Sequence, residues 1–387
     1  MGLPSGQPSD ARYRHGPHRP DDPRKARHQR RVARTAGGLG LILALALLPL
    51  AAAAESLRIA TWNADLSREG PGLLAEAIAG GKDPQVDAAI AVIAALDADV
   101  LLLTSVDYDR GLVALSLLEE RLVAAGHPYP HIFALRPNTG LQTGLDLDGD
   151  GRLGEPEDAQ GWGRFSGQAG MAILSRLPID EAGVLDHSAF FWADLPGNLI
   201  PPGTPAEITA IQRLSTTGHW QVPVITPAGL RLTLLAFHAT PPVFDGPEDW
   251  NGRRNHDEAV FWRLLLDGAL PLPQPKPSFM VIGDANLDAA DGDGLRDGIA
   301  ALMTHRFLQD PAPRGTHGRA EPAQSGDPAL DTALYDFGGL RVDYILPSGD
   351  LTVTAAGVLW PPDSDPLAVT LAQASRHRPV WVEIILP

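Results

Sequence analysis

Seven polar residues stand next to apolar runs of this chain, at places where a packed sheet would not need them. They are Asn63, Asp65, His238, Asp284, Asn286, Asp343 and His377. Imidazole and carboxylate groups are the usual general acids and bases of hydrolytic sites, and carboxylates also bind divalent cations. Each residue alone could as well cap a helix or close a turn, so a catalytic interpretation depends on the whole set.

The apolar runs beside these residues predict short strands. Strands are predicted at 57–62, 99–103, 170–174, 232–237, 279–282, 342–346 and 380–386. The continuous apolar run at 99–103 is typical of a strand that is buried on both faces. Helices are predicted at 85–96 and 255–265. Many strands, helices between some of them and polar residues at strand ends predict a layered α/β sandwich.

Five segments, in order, resemble sequence blocks of the endonuclease/exonuclease/phosphatase superfamily. They are Leu57–Asn63, Gly170–Ser175, Gly283–Asp288, Arg341–Leu346 and Ser375–Val380, and the run 238–242 resembles the deoxyribonuclease branch. The resemblance extends over 57–387. It implies the deoxyribonuclease-like fold, a four-layer sandwich of two facing mixed β-sheets flanked by helices, with the site at one edge.

The resemblance also implies hydrolysis of a phosphodiester or phosphomonoester. His377, held by Asp343, would do the acid–base work, and Asp284 would orient or deprotonate the attacking water. His238 would protonate the leaving group. These roles supply the activated nucleophile and the leaving-group proton that hydrolysis of a phosphoester needs.

Other positions concern the binding of substrate and metal. By resemblance, Asn63 and Asn286 would donate hydrogen bonds to phosphate oxygens. Asp65 matches an acidic position that some relatives use for a metal. Arg164 could line the phosphate cleft, although a surface position is the simpler interpretation of this residue.

Two residues depart from the family pattern, and both fall on its metal site. Ser105 stands where the family usually has a Glu that is the central Mg²⁺ ligand. Arg376 replaces the Asp that usually precedes the catalytic His. A neutral hydroxyl is a poor ligand for a hard dication that prefers carboxylates.

Three alternatives follow from these departures. In the first, which we take as the main hypothesis, Mg²⁺ or Mn²⁺ is retained on Asp65 with Asp107 or Asp109. In the second, Arg376 replaces the metal, since a guanidinium holds phosphate oxygens bidentately and carries charge without a cofactor. In the third, hydrolysis is lost and the protein is a phospholigand-binding module.

The segment 146–157 fits the twelve-residue template of a calcium-binding loop. The expected ligands are Asp146, Asp148, Asp150, the carbonyl group of Arg152, and Glu157, with a Gly at the sixth position for the sharp turn. Flanking helices are not predicted, because Pro156 and the surrounding glycines disfavour them. We expect a structural Ca²⁺ that rigidifies an insertion at 137–168. A solvated acidic loop is the alternative.

Residues 1–54 have the pattern of a secretory signal peptide with a long polar start. Four arginines at 27–34 precede a short apolar run that ends in four alanines. The run of about 17 residues is at the low edge for a membrane span, which needs ~20. We therefore expect a periplasmic or extracellular protein with one domain at 55–387, and an uncleaved anchor is the alternative.

Acidic residues dominate the expected mature chain. Residues 1–54 contain 9 of the 31 Lys and Arg and 3 of the 47 Asp and Glu, which leaves a net charge of −22 for 55–387. Such a surface repels polyanions, so long DNA is not the favoured substrate. The chain has no Cys, which excludes thiol chemistry. No obligate protein partner is indicated, and we expect a monomer.

Overall fold

The computed structural model describes residues 56–320, 322 and 324–386, so the predicted signal peptide at 1–54 lies outside the described residues. The strands are β1 (Ser56–Leu66), β2 (Val100–Val106), β3 (His131–Phe133), β4 (Gly170–Ser175), β5 (Leu185–Asp186), β6 (Gly218–Ile225), β7 (Arg231–His238), β8 (Phe279–Asp284), β9 (Ala333–Tyr335), β10 (Gly338–Leu340), β11 (Asp343–Pro347), β12 (Thr352–Val358) and β13 (Val380–Ile385). The α-helices are α1 (Leu73–Gly80), α2 (Pro84–Leu96), α3 (Val113–Ala124), α4 (Ala206–Thr209), α5 (Trp250–Leu266), α6 (Asp297–Met303) and α7 (Pro366–Ala374). None of the described helices has the length and apolar character that crossing a membrane requires.

The strands form two mixed sheets and a separate hairpin. The first sheet has the order β12-β13-β1-β2-β4-β3 and the second has the order β11-β8-β7-β6-β5, while β9 and β10 form the hairpin. β1 and β2 are parallel, and so are β7 and β8. The carboxyl ends of these strands carry five of the seven polar residues that the sequence analysis singled out, whereas Asp343 begins β11 and His377 precedes β13.

Three apolar cores give the molecule four layers. In β2, Leu102 packs into the core between the sheets, whereas Leu101 and Leu103 pack into the core beneath α1, α2, α3 and α7. In β7, Leu234 faces the other sheet and Leu235 faces the core beneath α5 and α6. Because successive strand residues point to opposite faces, runs that are apolar throughout bury both faces of each sheet. The predicted four-layer sandwich is confirmed.

Local sequence signals explain where two of the helices begin. α2 and α7 both start with an Asp-Pro pair. The Asp83 carboxylate accepts hydrogen bonds from the amides of Gln85 and Val86, and that of Asp365 accepts one from the Leu367 amide. The Asp satisfies amides that have no partner within the helix, and the Pro supplies a φ angle that suits the first turn.

The predicted elements all occur, with boundaries that differ by a few residues, but others were missed. β6, β12 and α3 had no counterpart in the sequence analysis. In β6, Trp220, Val222 and Val224 alternate with polar residues or proline and enter the core between the sheets. That alternation is a strand signal, so β6 could have been predicted.

Candidate active site

A cavity of about 800 Å³ lies where the ends of β1, β2 and β7 meet the segment after β8. Predicted site residues that line it are Asn63, Asp65, Ser105, His238, Asn286, Arg376 and His377. The fold therefore brings together residues that are more than 300 positions apart in the sequence.

His377 and Asp343 form a hydrogen-bonded pair at the floor of this cavity. Nδ1 of His377 lies 2.8 Å from Oδ2 of Asp343, and the two residues are 4% and 1% exposed. The Thr332 hydroxyl donates to the same carboxylate oxygen at 2.9 Å and accepts from the amides of Val342 and Asp343. The pair fixes Nδ1 toward the carboxylate, which leaves Nε2 of His377 for the cavity.

Asp284 lies behind the cavity and contacts several of its lining residues. Nδ2 of Asn63 donates to Oδ2 of Asp284 at 2.8 Å, and Nε2 of His238 lies 3.6 Å from the same oxygen. Nδ1 of His377 is 4.0 Å from it. Asp284 is 0% exposed and is not part of the lining. Direct contact with the attacking water, as predicted for Asp284, is therefore not what the structure shows; its carboxylate acts on the two histidines and Asn63.

The electrostatics of the site separate its two histidines. Burial disfavours the imidazolium of His377, but the carboxylates of Asp343 and Asp284 outweigh it and raise the pKa of His377. Burial lowers the pKa of His238 despite the attraction of Asp284. Burial, followed by the charge of Asp343, raises the pKa of Asp284. These shifts favour the protonated form of His377 and the neutral form of His238, whereas the sequence analysis expected His238 to protonate the leaving group.

The two asparagines are already engaged by protein groups. Asn63 uses its amide nitrogen on Asp284, and its Oδ1 accepts from the Asp65 amide at 3.2 Å. Nδ2 of Asn286 donates to the Ala239 carbonyl at 2.9 Å. Each Nδ2 has a second hydrogen, so hydrogen bonding to a phosphate stays a prediction. Their visible role is to hold Asp284 and the segment after β7.

A short segment before β13 holds His377 in place. The Ser375 hydroxyl donates to the Asn63 carbonyl at 2.7 Å and accepts from the His377 amide at 3.0 Å. The indole nitrogen of Trp62 donates to the His377 carbonyl at 3.1 Å. β1 and the His377 segment are therefore joined directly at the site.

The first two strands of the site bulge where they reach the cavity. The register between β1 and β2 shifts between the Asn63–Thr104 and Leu66–Val106 pairs. Asp65 and Ser105 have left-handed backbone angles, with φ of 53° and 55°. A bulge bends a strand and redirects its side chains, and both residues line the cavity.

The comparison with known families agrees with this geometry. The model described as "Endonuclease/Exonuclease/phosphatase family" matches residues 60–377. The chain belongs to this family. No curated protein matches it significantly.

The solved structures to which this chain is similar include one described as an endonuclease/exonuclease/phosphatase and two described as a sphingomyelinase and a phosphatase. An endonuclease/exonuclease/phosphatase from Beutenbergia cavernae is 20% identical, with a TM-score of 0.51 over 86% of this chain and 72% of that chain. Sphingomyelinase C from Streptomyces griseocarneus is 16% identical, with a TM-score of 0.46 over 85% and 99%. A 3′ phosphatase from Neisseria bound to product DNA hairpin is 17% identical, with a TM-score of 0.44 over 84% and 98%.

The acids predicted to hold Mg²⁺ do not come together at the cavity. Asp65 lines the cavity near Ser105, but Asp107 does not. The Asp107 carboxylate accepts from the Ser67 hydroxyl and from the amides of Arg68 and Ala169. The Asp109 carboxylate accepts from the first amides of α3. The structure thus corrects Asp107 as a tentative magnesium ligand, because its oxygens tie loops together away from the cavity.

Two groups of described residues bring three possible ligand atoms within 4.8 Å of one another. They are Asp284, Asp343 and His377, and Asp146, Asp148 and Asp158. In the first group, His377 and Asp343 hydrogen-bond each other, and Nδ1 of His377 lies 4.0 Å from the Asp284 carboxylate. Asp65 belongs to neither group.

Arg376 lines the cavity and forms no ion pair with the described residues. Its guanidinium carbon lies 5.8 Å from the ring of Tyr335, and the Tyr335 ring is 6.3 Å from that of His377. A guanidinium so placed can bind a phosphate oxygen. Arg164 is different: it pairs with Glu69 at 3.1 Å and does not line the cavity, which corrects its prediction as a cleft residue.

The calcium-type loop keeps part of its predicted ligand set. The carboxylates of Asp146 and Asp148 approach that of Asp158, which was not predicted. Glu157 instead accepts from the indole nitrogen of Trp162 at 3.0 Å, outside that group. Residues 156–158 form a single 3₁₀ turn, in line with the expected lack of flanking helices. Asp150 and Arg152 lie in the loop but not in the three-carboxylate group.

Sequence reasoning also missed residues that support the acid–base groups. Thr332 lies in a loop-rich stretch with no periodic pattern, so nothing near it in the sequence indicates its contact with Asp343. Ser375 could have been singled out from the sequence, because it is the first residue of the block that contains His377. Its role required knowing that β1 and β13 are neighbours.

Proposed function

We propose that this protein is a phosphoesterase that hydrolyses a phosphodiester or phosphomonoester. Membership of the endonuclease/exonuclease/phosphatase family supports this class of reaction. The observation that carries the proposal is the buried arrangement of His377, Asp343 and Asp284 beneath a cavity that is also lined by His238 and Arg376.

In the proposed reaction, the two histidines move the protons. The carboxylates of Asp343 and Asp284 raise the pKa of His377 and so favour its protonated form, whose Nε2 donates a proton to the leaving oxygen as the P–O bond breaks. His238 is neutral because its pKa is lowered, and it accepts a proton from the attacking water. Asp284 lies 3.6 Å from Nε2 of His238 and stabilises the cation that forms. The histidines return to their starting states by exchange with solvent.

We further propose that Arg376 supplies the positive charge that phosphoester hydrolysis requires. An unpaired guanidinium beside the cavity can hold two phosphate oxygens and stabilise the charge that develops in the transition state. Of the three acids predicted to hold Mg²⁺ or Mn²⁺, Asp65 lines the cavity, whereas Asp107 and Asp109 accept hydrogen bonds from loop and helix amides elsewhere. No step of the proposed reaction therefore uses a metal.

The competing candidate is a phospholigand-binding module without hydrolysis, which the Ser105 and Arg376 departures favour. Turnover of bis-p-nitrophenyl phosphate and p-nitrophenyl phosphate by purified protein separates the two. The phosphoesterase proposal expects release of p-nitrophenol from at least one substrate and its loss in His377→Gln. Equal background release by both proteins, together with phosphate binding, would support the binding module.

We also propose that the 146–158 loop binds Ca²⁺ through Asp146, Asp148 and Asp158. The support is the approach of the three carboxylates and the oxygen-only ligand set that Ca²⁺ prefers. Ca²⁺ should raise the melting temperature of the wild type and of Glu157→Gln but not of Asp146→Asn. A rise of the same size in Asp146→Asn would contradict the site.

We also propose that the protein is exported and that it is a monomer. The arginine-rich start and the apolar run before residue 55 support export. Fractionation of cells that express the full chain, with N-terminal sequencing of the exported form, tests cleavage near Ala54. Full-length protein in the cytoplasmic fraction would contradict export, and size-exclusion chromatography with light scattering tests the monomer.

A further inference from the structure

α5 carries buried polar residues on the side that faces the active site. Asn255 and Glu258 are both 0% exposed. They lie one turn apart on the helix, so their side chains share one face. Neither residue lines the cavity, and neither has a place in the reaction proposed above.

Asn255 joins the two segments that follow β7 and β8. Its Nδ2 donates to the Thr240 carbonyl at 2.6 Å and to the Ala285 carbonyl at 2.7 Å. The reverse orientation of the amide would set its oxygen against both carbonyl oxygens, so this assignment is the favourable one. Both carbonyls lie beyond the strand ends, where the sheet ladder no longer supplies donors.

Glu258 holds the same segment from its other side. One carboxylate oxygen accepts from the Thr240 amide at 2.8 Å, and the other accepts from the Thr216 amide at 2.6 Å. The amide and the carbonyl of Thr240 are thus both bound by side chains of α5.

The held segments carry the groups of the active site. Thr240 is two residues beyond His238, and Ala285 lies between Asp284 and Asn286. The Ala239 amide donates to the Asp284 carbonyl at 2.9 Å. The Ala239 carbonyl accepts from Asn286 at 2.9 Å. A shift of the Ala239–Thr240 backbone would therefore move His238 relative to Asp284.

We propose that Asn255 and Glu258 are positioning residues of the active site, which set the distance between His238 and Asp284 through the backbone of residues 239–240 and 285. The effect on turnover rests on the proposed phosphoesterase function. The effect on the position of His238 does not.

Asp257 provides a matched control on the same helix. It is 1% exposed and accepts from the indole nitrogen of Trp192 at 2.6 Å and from the Leu199 amide at 2.7 Å. Neither partner lines the cavity. Asp257→Asn therefore disturbs a buried hydrogen-bonded group of α5 and leaves the segments after β7 and β8 alone.

The test compares Asn255→Ala, Glu258→Gln and Asp257→Asn at temperatures equally far below their melting points. We expect kcat for bis-p-nitrophenyl phosphate to fall at least about tenfold in the first two variants, with KM changed less than about twofold, because misplaced catalytic groups affect the transition state. Asp257→Asn should keep the wild-type kcat. Equal losses of kcat in all three variants would overturn the proposal, since they would reflect stability alone.

A second measurement keeps the inference separate from the proposed function. The imidazole NMR signals of His238 should shift in Asn255→Ala or Glu258→Gln and stay in place in Asp257→Asn. If the wild type hydrolyses no phosphoester, the proposed function fails while these signals still decide the positioning role. If Asn255→Ala does not fold, Glu258→Gln decides by the same criteria. Unchanged His238 signals in a folded variant would contradict the inference.

Discussion

The cavity has two halves that differ in how their residues are held. In the acid–base half, His238, Asp284, Asp343 and His377 are all less than 9% exposed and are tied to neighbours on several strands. In the other half, Asp65 and Arg376 are exposed and Ser105 is partly exposed. The first half is held by buried hydrogen bonds, whereas the side chains of the second half are open to the cavity and the solvent. This difference is the basis of our proposal that the proton chemistry of the family is retained and that its metal chemistry is altered.

The largest expected effect comes from removing the imidazole at the centre of the acid–base half. His377→Gln should lower kcat for bis-p-nitrophenyl phosphate about 10³-fold, because general acid catalysis supplies a factor of roughly that size. His305→Gln is the control, since His305 is buried and pairs with Asp267 at 3.3 Å outside the cavity. A loss of kcat of less than tenfold in His377→Gln would show that the acid–base half does not carry out the proton transfers.

A smaller loss of kcat is expected when Arg376, in the other half of the cavity, is changed. Arg376→Ala should lower kcat about 10²-fold, since one charged donor to the transition state typically contributes that much. Arg376→Lys should recover part of the rate, because it keeps the charge but not the fork of donors. Arg164→Ala should behave as wild type. Equal activity of Arg376→Ala and Arg164→Ala would remove the proposed role of Arg376.

Restoring the acidic family residues at positions 105 and 376 should replace charge stabilisation by the arginine with charge stabilisation by a metal ion. The double variant Ser105→Glu with Arg376→Asp should be stimulated on the order of tenfold by Mg²⁺, because a carboxylate pair near Asp65 provides oxygen ligands for a hard dication. The wild type should not respond. Turnover assays over a Mg²⁺ titration check this, and a flat response of the double variant would contradict the assignment of Ser105 and Arg376 to the metal position.

The pH profile should shift in opposite directions when the two halves are changed. Activity rises as His238 loses its proton, whose pKa is lowered by burial, and falls as His377 loses its proton, whose pKa is raised by Asp343 and Asp284 against the effect of burial. Asp284→Asn removes an attractive charge, so the alkaline limb should move to lower pH. Arg376→Ala removes a repulsive charge, so it should move to higher pH. Shifts of kcat/KM in the same direction would contradict this electrostatic account.

The smallest expected effects concern stability. Thr332→Val removes the hydroxyl that joins the Asp343 carboxylate to two backbone amides, which should cost about 1–3 kcal/mol of unfolding free energy. Arg376→Ala should change it by less than about 0.5 kcal/mol, since the residue is exposed and unpaired among the described residues. Denaturant unfolding followed by tryptophan fluorescence measures both. A larger loss of unfolding free energy in Arg376→Ala would mean that the half of the cavity with Asp65, Ser105 and Arg376 also stabilises the fold.

The fold was predictable because apolar strand and helix patterns recur along the described chain, and because five short blocks in family order are spread from residue 57 to residue 380. The same blocks contain His377, Asp343 and Asp284, so their convergence could be expected. The sequence did not indicate how deeply Asp284 is buried. It shows an acidic residue at a strand end, and only the packing of Asn63 and His238 against Asp284 explains why that residue does not line the cavity.

Errors arose where spacing was used in place of geometry. Asp107 stands two residues after Ser105 and would face the same side of a regular strand, but the bulge at Ser105 breaks the strand alternation. Glu157 occupies the twelfth position of the calcium template, yet the 3₁₀ turn at 156–158 brings Asp158 to the other carboxylates. In the loop, a difference of one residue therefore separates the acid that the template predicts from the acid that lies near Asp146 and Asp148.

Turnover of bis-p-nitrophenyl phosphate by metal-stripped protein in excess EDTA shows whether Arg376 does the work of a metal. If it does, the wild type retains its turnover in EDTA, added Mg²⁺ or Mn²⁺ changes it little, and His377→Gln abolishes it. Turnover that disappears in EDTA and returns with Mg²⁺ or Mn²⁺ would contradict the claim that Arg376 has replaced the metal.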